Sequence, residues 1–186
     1  NVDPLLTNIP DSTTNIVMLS APHSGAHFVA LRENGTVVAW GNNWSGQIDV
    51  PADLSNVVQV AAGNAHCLAL KADGSVRAWG DNYYGETNVP LGLSNVVQIA
   101  TGANHNLALK SDGTVVAWGN NGNGECRVSR NLNGVTAIAP GMALKRDGTV
   151  VSLVGDSFPL SNIVAIANGV ALRSNGTVAV WGGNSY

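Results

Sequence analysis

A short tryptophan-containing segment recurs at a fixed interval along this chain. Trp40, Trp79 and Trp118 lie 39 residues apart, each followed by Gly, by Asn or Asp and then by Asn, and Trp181 belongs to a more divergent copy. A fixed period of this size indicates a repeat architecture, in which each unit is one supersecondary element. The fold is therefore set by the unit of about 39 residues, and function by what varies between units.

Each unit contains short apolar runs separated by turn residues. In the second unit these are residues 57–61, 67–70 and 76–79, with a weaker run at 87–89. None is long enough for a helix and β-branched residues are frequent, so the runs are predicted to be strands. An Asn-Gly or Asp-Gly pair between the second and third runs predicts a hairpin turn with positive φ. These pairs begin at Asn34, Asp73, Asp112, Asp147 and Asn175.

Four short antiparallel strands per unit are typical of the blades of a β-propeller, an all-β fold. The predicted domain spans residues 1–186 and has five units, at roughly 7–41, 46–80, 85–119, 126–155 and 160–186. One blade cannot bury its apolar faces alone, so the recurring tryptophans are interpreted as packing between blades.

The last two units depart from the pattern. In the fourth unit Leu153-Val154-Gly155 replaces the Trp-Gly segment, and residues 156–160 are too few for both a loop and an outer strand, so this blade is expected to lack that strand. The sequence leaves two arrangements of the complete propeller open. Residues 5–7 could supply the outer strand of the last blade and give a closed five-bladed ring, or the five units could be a segment of a larger propeller.

Composition limits the possible partners. The net charge is −3, charged residues make up only 11% of the chain, and the nine basic residues are scattered. This distribution argues against nucleic acid as a partner, because phosphate binding needs clustered Lys and Arg. No apolar run is long enough to span a membrane. Low charge with many small polar residues favours a secreted or cell-surface protein. Cys67 and Cys126 lie on different strand types of different units, so no disulfide is predicted between them.

Two segments, residues 63–85 and 102–124, match in full the string Gly-x-x-His-x-Leu-Ala-Leu-x-x-Asp-Gly-x-Val-x-x-Trp-Gly-x-Asn-x-x-Gly. It resembles the repeat of the regulator of chromosome condensation family. The 39-residue spacing, with Val-Pro closing each unit, is similar to that of bacterial members, including propeller-type β-lactamase inhibitory proteins. This resemblance implies a propeller and a binding role. It also implies seven blades, whereas five units are recognisable here.

His27, His66 and His105 recur at intervals of 39 residues. A ring of metal ligands is one interpretation, but the fourth and fifth units lack this histidine, so buried structural histidines are favoured. Gln47, Glu86 and Glu125 share another register and look equivalent, whereas an acid–base pair needs unequal environments. They are interpreted as turn or edge contacts. No catalytic residue, metal site or cofactor is predicted.

The favoured function is a non-enzymatic binding module that contacts a protein partner through one loop face, with enzyme inhibition as one form of it. The loops after the third strands vary between units and hold the aromatic residues that most often anchor interfaces. The predicted partner-binding residues are Trp44, Tyr83, Tyr84, Asn43, Asn82 and Asn121. The alternative is a glycan-binding or hydrolytic propeller with its site in the central channel. The predicted innermost strands carry no acid, which counts against channel chemistry.

Overall fold

The computed structural model describes residues 9–10, 13–22 and 24–180. These residues form five separate three-stranded antiparallel sheets, one per repeat, each ordered as a simple meander. The first sheet contains β1 (Ile16–Ser20), β2 (His27–Arg32) and β3 (Val37–Gly41). The second contains β4 (Val57–Ala62), β5 (His66–Lys71) and β6 (Val76–Gly80). The third contains β7 (Val96–Thr101), β8 (His105–Lys110) and β9 (Val115–Gly119).

The remaining two sheets have shorter strands. The fourth contains β10 (Val135–Ala139), β11 (Met142–Lys145) and β12 (Val150–Ser152). The fifth contains β13 (Ile163–Ala167), β14 (Val170–Arg173) and β15 (Val178–Val180). The all-β prediction and the repeat organisation are confirmed, and the arrangement is that of a repeat β-propeller.

The fourth strand predicted for each blade does not form in the described residues. Residues 46–54 and 85–93 instead make consecutive local turns: the Asp49 amide bonds to the Gly46 carbonyl at 3.1 Å and the Val50 amide to the Ile48 carbonyl at 2.9 Å. Backbone donors used in this way cannot join a strand ladder. In the fourth unit, which was expected to lack its outer strand, the sheet likewise has three strands, and only an isolated antiparallel bridge joins Val151 of β12 to Ser157.

The hairpins have the predicted turn chemistry. The glycine of each pair has a φ between 78° and 83°, a conformation that only glycine adopts without strain. The residue before it accepts a hydrogen bond from the amide two positions later, as when the Ser75 amide donates to Asp73 Oδ1 at 2.9 Å. This arrangement places every hairpin at one end of its sheet. The Val57 amide bonds to the Gly35 carbonyl at 3.0 Å, and the hairpins at Gly74 and Gly148 make the equivalent bond to the next repeat.

Core clusters lie between successive sheets. Leu68 and Leu70 of the second sheet pack against Val96, Ile99 and Trp118 of the third, and equivalent clusters join the other neighbouring pairs. Between the third and fourth sheets, Leu153 is buried where the earlier repeats place a tryptophan. The interpretation of the tryptophans as blade-to-blade packing is confirmed for Trp79 and Trp118.

No core cluster joins the fifth sheet to the first within residues 9–10, 13–22 and 24–180. Leu19 of β1 is 56% exposed, although Val60, Ile99 and Ile138 at the same register are buried by the preceding sheet. Residues 5–7, on which the predicted ring closure depends, lie outside the described residues, as does Trp181. Closure therefore stays a prediction.

Two glutamines connect the innermost strands. The Gln59 side chain donates to the Ile99 carbonyl at 2.9 Å and accepts from the Ile99 amide at 2.9 Å. Gln98 binds Ile138 in the same way. A side-chain amide thus takes the place of a strand partner between blades. The other three sheets have Met18, Ala137 and Ala165 at this register.

We expect Gln59→Met to lower the free energy of unfolding by about 1–2 kcal/mol, because both backbone groups of Ile99 lose their partner. Chemical denaturation measures this change. Val58→Met is the control, since Val58 is an exposed neighbour on the same strand. Equal stabilities for the two variants would show that the inter-blade glutamine bonds contribute nothing.

Candidate functional site: the loop face

The loops after β3, β6 and β9 lie at the end of the sheets opposite the hairpins. The Asn42 amide bonds to the Ala26 carbonyl at 2.7 Å, and Asp81 and Asn120 make the equivalent bonds to Ala65 and Asn104. These loops therefore stand beside the loops between first and second strands. We call this end the loop face, formed by residues 42–50, 81–89 and 120–128 with residues 21–22, 24–26, 63–65 and 102–104.

Side chains within each loop fix its backbone. The Ile48 amide donates to Asn43 Oδ1 at 3.1 Å, the Thr87 amide to Asn82 Oδ1 at 2.9 Å and the Cys126 amide to Asn121 Oδ1 at 3.1 Å. The three asparagines predicted to bind a partner therefore have a structural role that the sequence did not reveal. Their participation in partner binding stays a prediction.

The second set of loop contacts comes from Gln47, Glu86 and Glu125. Their side-chain oxygens accept the amides of Ser45 at 2.8 Å, Tyr84 at 2.8 Å and Asn123 at 2.9 Å. The interpretation of this register as a turn contact is confirmed. Glu86 is completely buried.

Each of the first two loops is bonded at its base to the following blade. The Trp79 indole Nε1 donates to the Gln47 carbonyl at 3.0 Å, and the Trp118 Nε1 donates to the Glu86 carbonyl at 2.9 Å. Asn106 Nδ2 also donates to the Glu86 carbonyl, at 2.8 Å. An indole donor satisfied by a buried carbonyl holds both groups in place. The tryptophan of the second or third repeat thus positions the variable loop of the repeat before it.

The predicted aromatic residues project from these fixed loops. Trp44 is 91% exposed, Tyr83 81% and Tyr84 49%. The two tyrosine rings meet edge to face with centroids 4.7 Å apart. The third loop has Gly122 where the first two place Trp44 and Tyr83. The aromatic surface is therefore confined to the first two repeats among these three loops.

The repeated histidines form links between blades. His27 Nε2 lies 3.2 Å from Cys67 Sγ, and His66 Nε2 lies 2.7 Å from Asn106 Oδ1. His105 Nε2 has no hydrogen-bond partner among the described residues, because Gly141 occupies the position of Cys67 and Asn106 in the fourth repeat. His27 and His66 are buried as predicted, while His105 is only half-buried.

The environment of these histidines favours their neutral form. Burial and, to a smaller extent, the nearby His66 lower the pKa of His27 to about 4. Burial also lowers the pKa of His66, although the hydrogen bond that its ring donates to Asn106 and the charge of Glu86 oppose that shift. Both cysteines are free thiols, as predicted, and burial raises the pKa of Cys67. No cluster of three metal-ligating side chains occurs in the part of the chain that the structure describes.

A cavity of about 700 Å³ lies where the repeats meet. Its walls come from β1, β4 and β7 and from the short loops that follow the first strands. The polar side chains in its lining are Ser20, Gln59, Thr101, His105 and Asn168. None of its described lining residues is Asp or Glu.

We expect His66→Ala to lower the free energy of unfolding by about 1–3 kcal/mol, because it leaves Asn106 Oδ1 buried without its partner. Chemical denaturation checks this value. Added zinc should leave the melting temperature of the unmodified protein unchanged. A zinc-dependent rise would show that the histidines bind metal.

Stability should decline on acidification from about pH 6.5 towards pH 4. The unfolded chain binds protons near the ordinary His pKa of about 6.5, whereas folded His27 resists protonation until about pH 4. The unfolded state therefore binds more protons in this window, and the stability lost on acidification is regained above it. Melting temperatures across the window measure the slope, and His27→Gln should reduce it. An identical slope in that variant would contradict the assignment.

No helix among the described residues is long and apolar enough to cross a bilayer.

The loops, the repeated tryptophans and the histidines can be compared with known proteins. No curated protein sequence matches this chain. Many solved structures resemble it, among them the following three. Human WBSCR16 is 23% identical with a TM-score of 0.71, covering 90% of this chain and 61% of its own. Prp20p of Saccharomyces cerevisiae is 26% identical with a TM-score of 0.56, covering 92% and 46%.

The third similar structure is the ectodomain of the Physcomitrella patens receptor kinase CR4. It is 19% identical with a TM-score of 0.72, covering 89% of this chain and 54% of its own, and at this identity the likeness concerns the fold alone. The chain thus spans about half to three-fifths of the length of these structures. The model of the regulator of chromosome condensation (RCC1) repeat matches residues 24–47, 57–86 and 96–125. Three segments of this chain thus match the RCC1 repeat, in agreement with the resemblance of its recurring motif.

Proposed function

We propose that this chain is a non-enzymatic binding module whose loop face contacts a protein partner. The observation that carries the proposal is the pair of almost fully exposed aromatic side chains, Trp44 and Tyr83, on loops that are hydrogen-bonded at their base. Large exposed aromatic rings are unusual on a surface that contacts only water, and Trp and Tyr are the residues most often found as interface anchors.

The rigidity of the loops strengthens this proposal. Each loop backbone is held by its own asparagine and by Gln47 or Glu86, and its base is bonded to the tryptophan of the next blade. A surface that is already ordered loses little conformational entropy when it binds. Trp44 and Tyr83 occupy adjacent repeats, so one partner could contact both.

The similar structures support the class of partner. A yeast RCC1 protein, Prp20, 25% identical to this chain, has been solved with Kap60 bound, and a second Prp20p structure is described with its binding to Gsp1p and histones. We extend only the general property, protein binding, to this chain. Inhibition of an enzyme partner, a bacterial source and a secreted or cell-surface location belong to this proposal. So does the absence of a cofactor, a nucleic acid partner or a membrane segment.

The proposal does not depend on how the propeller ends. The hydrogen bonds that hold the loops join successive blades. They would be the same in a closed ring of five four-stranded blades and in a five-blade part of a larger propeller.

The second candidate is a glycan-binding site in the central cavity. The hydroxyl and amide groups of Ser20, Thr101 and Asn168 in a cavity of about 700 Å³ favour an uncharged polar ligand. Glycoside hydrolysis requires a pair of carboxyl groups, and the described lining contains none. Binding is therefore favoured over hydrolysis at this site.

Combining Trp44→Ala with Tyr83→Ala tests the leading proposal. We expect the melting temperature to stay within a few degrees, because both rings are exposed. Binding to the partner should weaken by about 2 kcal/mol or more, roughly thirtyfold in Kd. The partner would be captured from the source organism's own proteins with the unmodified chain, and its Kd measured by calorimetry.

Leu91→Ala is the matched control for this experiment. Leu91 is a fully exposed apolar residue outside the loop face, so its removal should leave the Kd unchanged. A double variant that binds as well as the unmodified protein would place the binding surface elsewhere. A double variant that unfolds would show that the aromatic rings serve the fold.

A further inference from the structure

Charges are distributed unequally between the two ends of the sheets. In the three long loops of the loop face, the acidic residues reached by solvent are Asp49, Asp81 and Glu125, and the basic one is Arg127. The short loops beside them, at residues 21–22, 24–26, 63–65 and 102–104, carry no charged residue. The loop face is therefore net negative.

The hairpin end has the opposite balance. Every second strand ends in a basic residue, and Arg146 adds another. The basic residues at this end are Arg32, Lys71, Lys110, Lys145, Arg146 and Arg173. The acidic residues beside them are Glu33, Asp53, Asp73, Asp112 and Asp147. Asp53 lies 3.8 Å from Arg77, and the last three lie 3.5–3.8 Å from a lysine. The net charge of the whole chain is small, but the loop face is net negative and the hairpin end is net positive.

Two acidic side chains of the loop face are hydrogen-bonded within the same loops that carry the exposed aromatic rings. Asn43 Nδ2 donates to Asp49 Oδ1 at 2.8 Å, in the loop that carries Trp44. The Asn82 amide donates to Asp81 Oδ1 at 2.9 Å, in the loop that carries Tyr83. Carboxylates and exposed aromatic rings therefore belong to the same hydrogen-bonded loops.

Glu125 extends this surface to the third repeat. Its carboxylate accepts hydrogen bonds from the Asn123 amide and from Asn123 Nδ2, both at 2.9 Å. Hydrogen bonds from its own backbone and from Asn123 lower the pKa of Glu125. This carboxylate is therefore charged at neutral pH.

We infer that the loop face recognises a basic segment of its protein partner, with Lys or Arg side chains set against Asp49, Asp81 and Glu125 and against the faces of Trp44 and Tyr83. This inference rests on the proposed function. Carboxylates complement such side chains and steer their approach. Trp and Tyr rings attract the same cations through their negative faces. Both features of the surface thus favour one class of partner.

Partners of other chemistry fit this surface less well. An acidic segment would bring like charges together on three repeats, which opposes association. A purely apolar segment would cover the rings but desolvate the neighbouring carboxylates without supplying a partner for them. These two classes are the contrary outcomes of the test.

The chain itself supplies substitutions that remove the charges and keep the loop contacts. Asn88 replaces Asp49 in the second repeat and accepts the same side-chain bond from Asn82, at 3.1 Å. Asn42 and Asn120 stand at the position of Asp81. Gln47 stands at the position of Glu125. The variant Asp49→Asn, Asp81→Asn, Glu125→Gln should therefore fold normally.

A matched control places the same change at the other end. Asp73→Asn, Asp112→Asn and Asp147→Asn also remove three negative charges and so raise the net charge by three units. Asn34 and Asn175 already fill this hairpin position in the first and fifth repeats and accept the same amide bonds, at 3.1 and 3.0 Å. The two triple variants have equal net charge and differ only in the end that is neutralised.

The test uses a random synthetic peptide library on beads as the probe, incubated with the labelled unmodified protein. We expect the selected peptides to be enriched in Lys and Arg and to bind more weakly as salt is raised. The loop-face triple variant should bind them about tenfold more weakly or worse, whereas the hairpin triple variant should bind them normally. Selection of no peptide, or of acidic or uncharged peptides, overturns the inference.

The aromatic double variant separates this inference from the proposed function. If Trp44→Ala with Tyr83→Ala abolishes peptide binding and the loop-face triple variant does not weaken it, the face binds protein and the basic preference is wrong. If neither variant weakens binding, the loop face is not the binding surface and both conclusions fail. Weakening by both variants supports both.

Discussion

The hydrogen bond from a tryptophan indole to a carbonyl of the preceding repeat organises this structure. Trp79 reaches the carbonyl of Gln47 and Trp118 reaches that of Glu86, each across a blade boundary. The same rings fill the apolar clusters between sheets. One residue type therefore joins neighbouring blades and fixes the loop above them. A repeat protein in which each unit contacts only its neighbours depends on such interfaces for its stability.

Most of the fold could be predicted from the sequence, because the 39-residue period exposes each strand and hairpin several times. The outer strand could not. Residues 87–89 look like a weak strand by composition, but the preceding Gly85-Glu86 favours a turn in which the Glu86 carboxylate accepts the Tyr84 amide. Side-chain to backbone bonds of this kind compete with strand pairing. The alternation of apolar and polar residues that predicts strands gives no information about these side-chain bonds.

The candidate site was predictable in part. The varying loops and their aromatic residues could be identified by comparing repeats, and the structure places Trp44 and Tyr83 on one exposed surface. The bracing role of Asn43 was missed, because an asparagine in a variable loop reads equally as a contact residue. The lack of a hydrogen-bond partner for His105 Nε2 among the described residues could have been predicted, since Gly141 has no side chain to accept its hydrogen bond. The separation of charge between the two ends of the sheets could not be predicted, because it depends on which loops lie at the same end.

Hydrogen exchange in the Trp79→Phe variant tests the central claim most directly. Phenylalanine keeps most of the ring packing and removes the indole donor. The account predicts that residues 42–50 exchange faster by about tenfold, because the loop loses the bond at its base, while residues 81–89 keep their protection. Trp118→Phe should give the reverse pattern. Unchanged protection of residues 42–50 in Trp79→Phe would show that the loop is held by its own side chains alone.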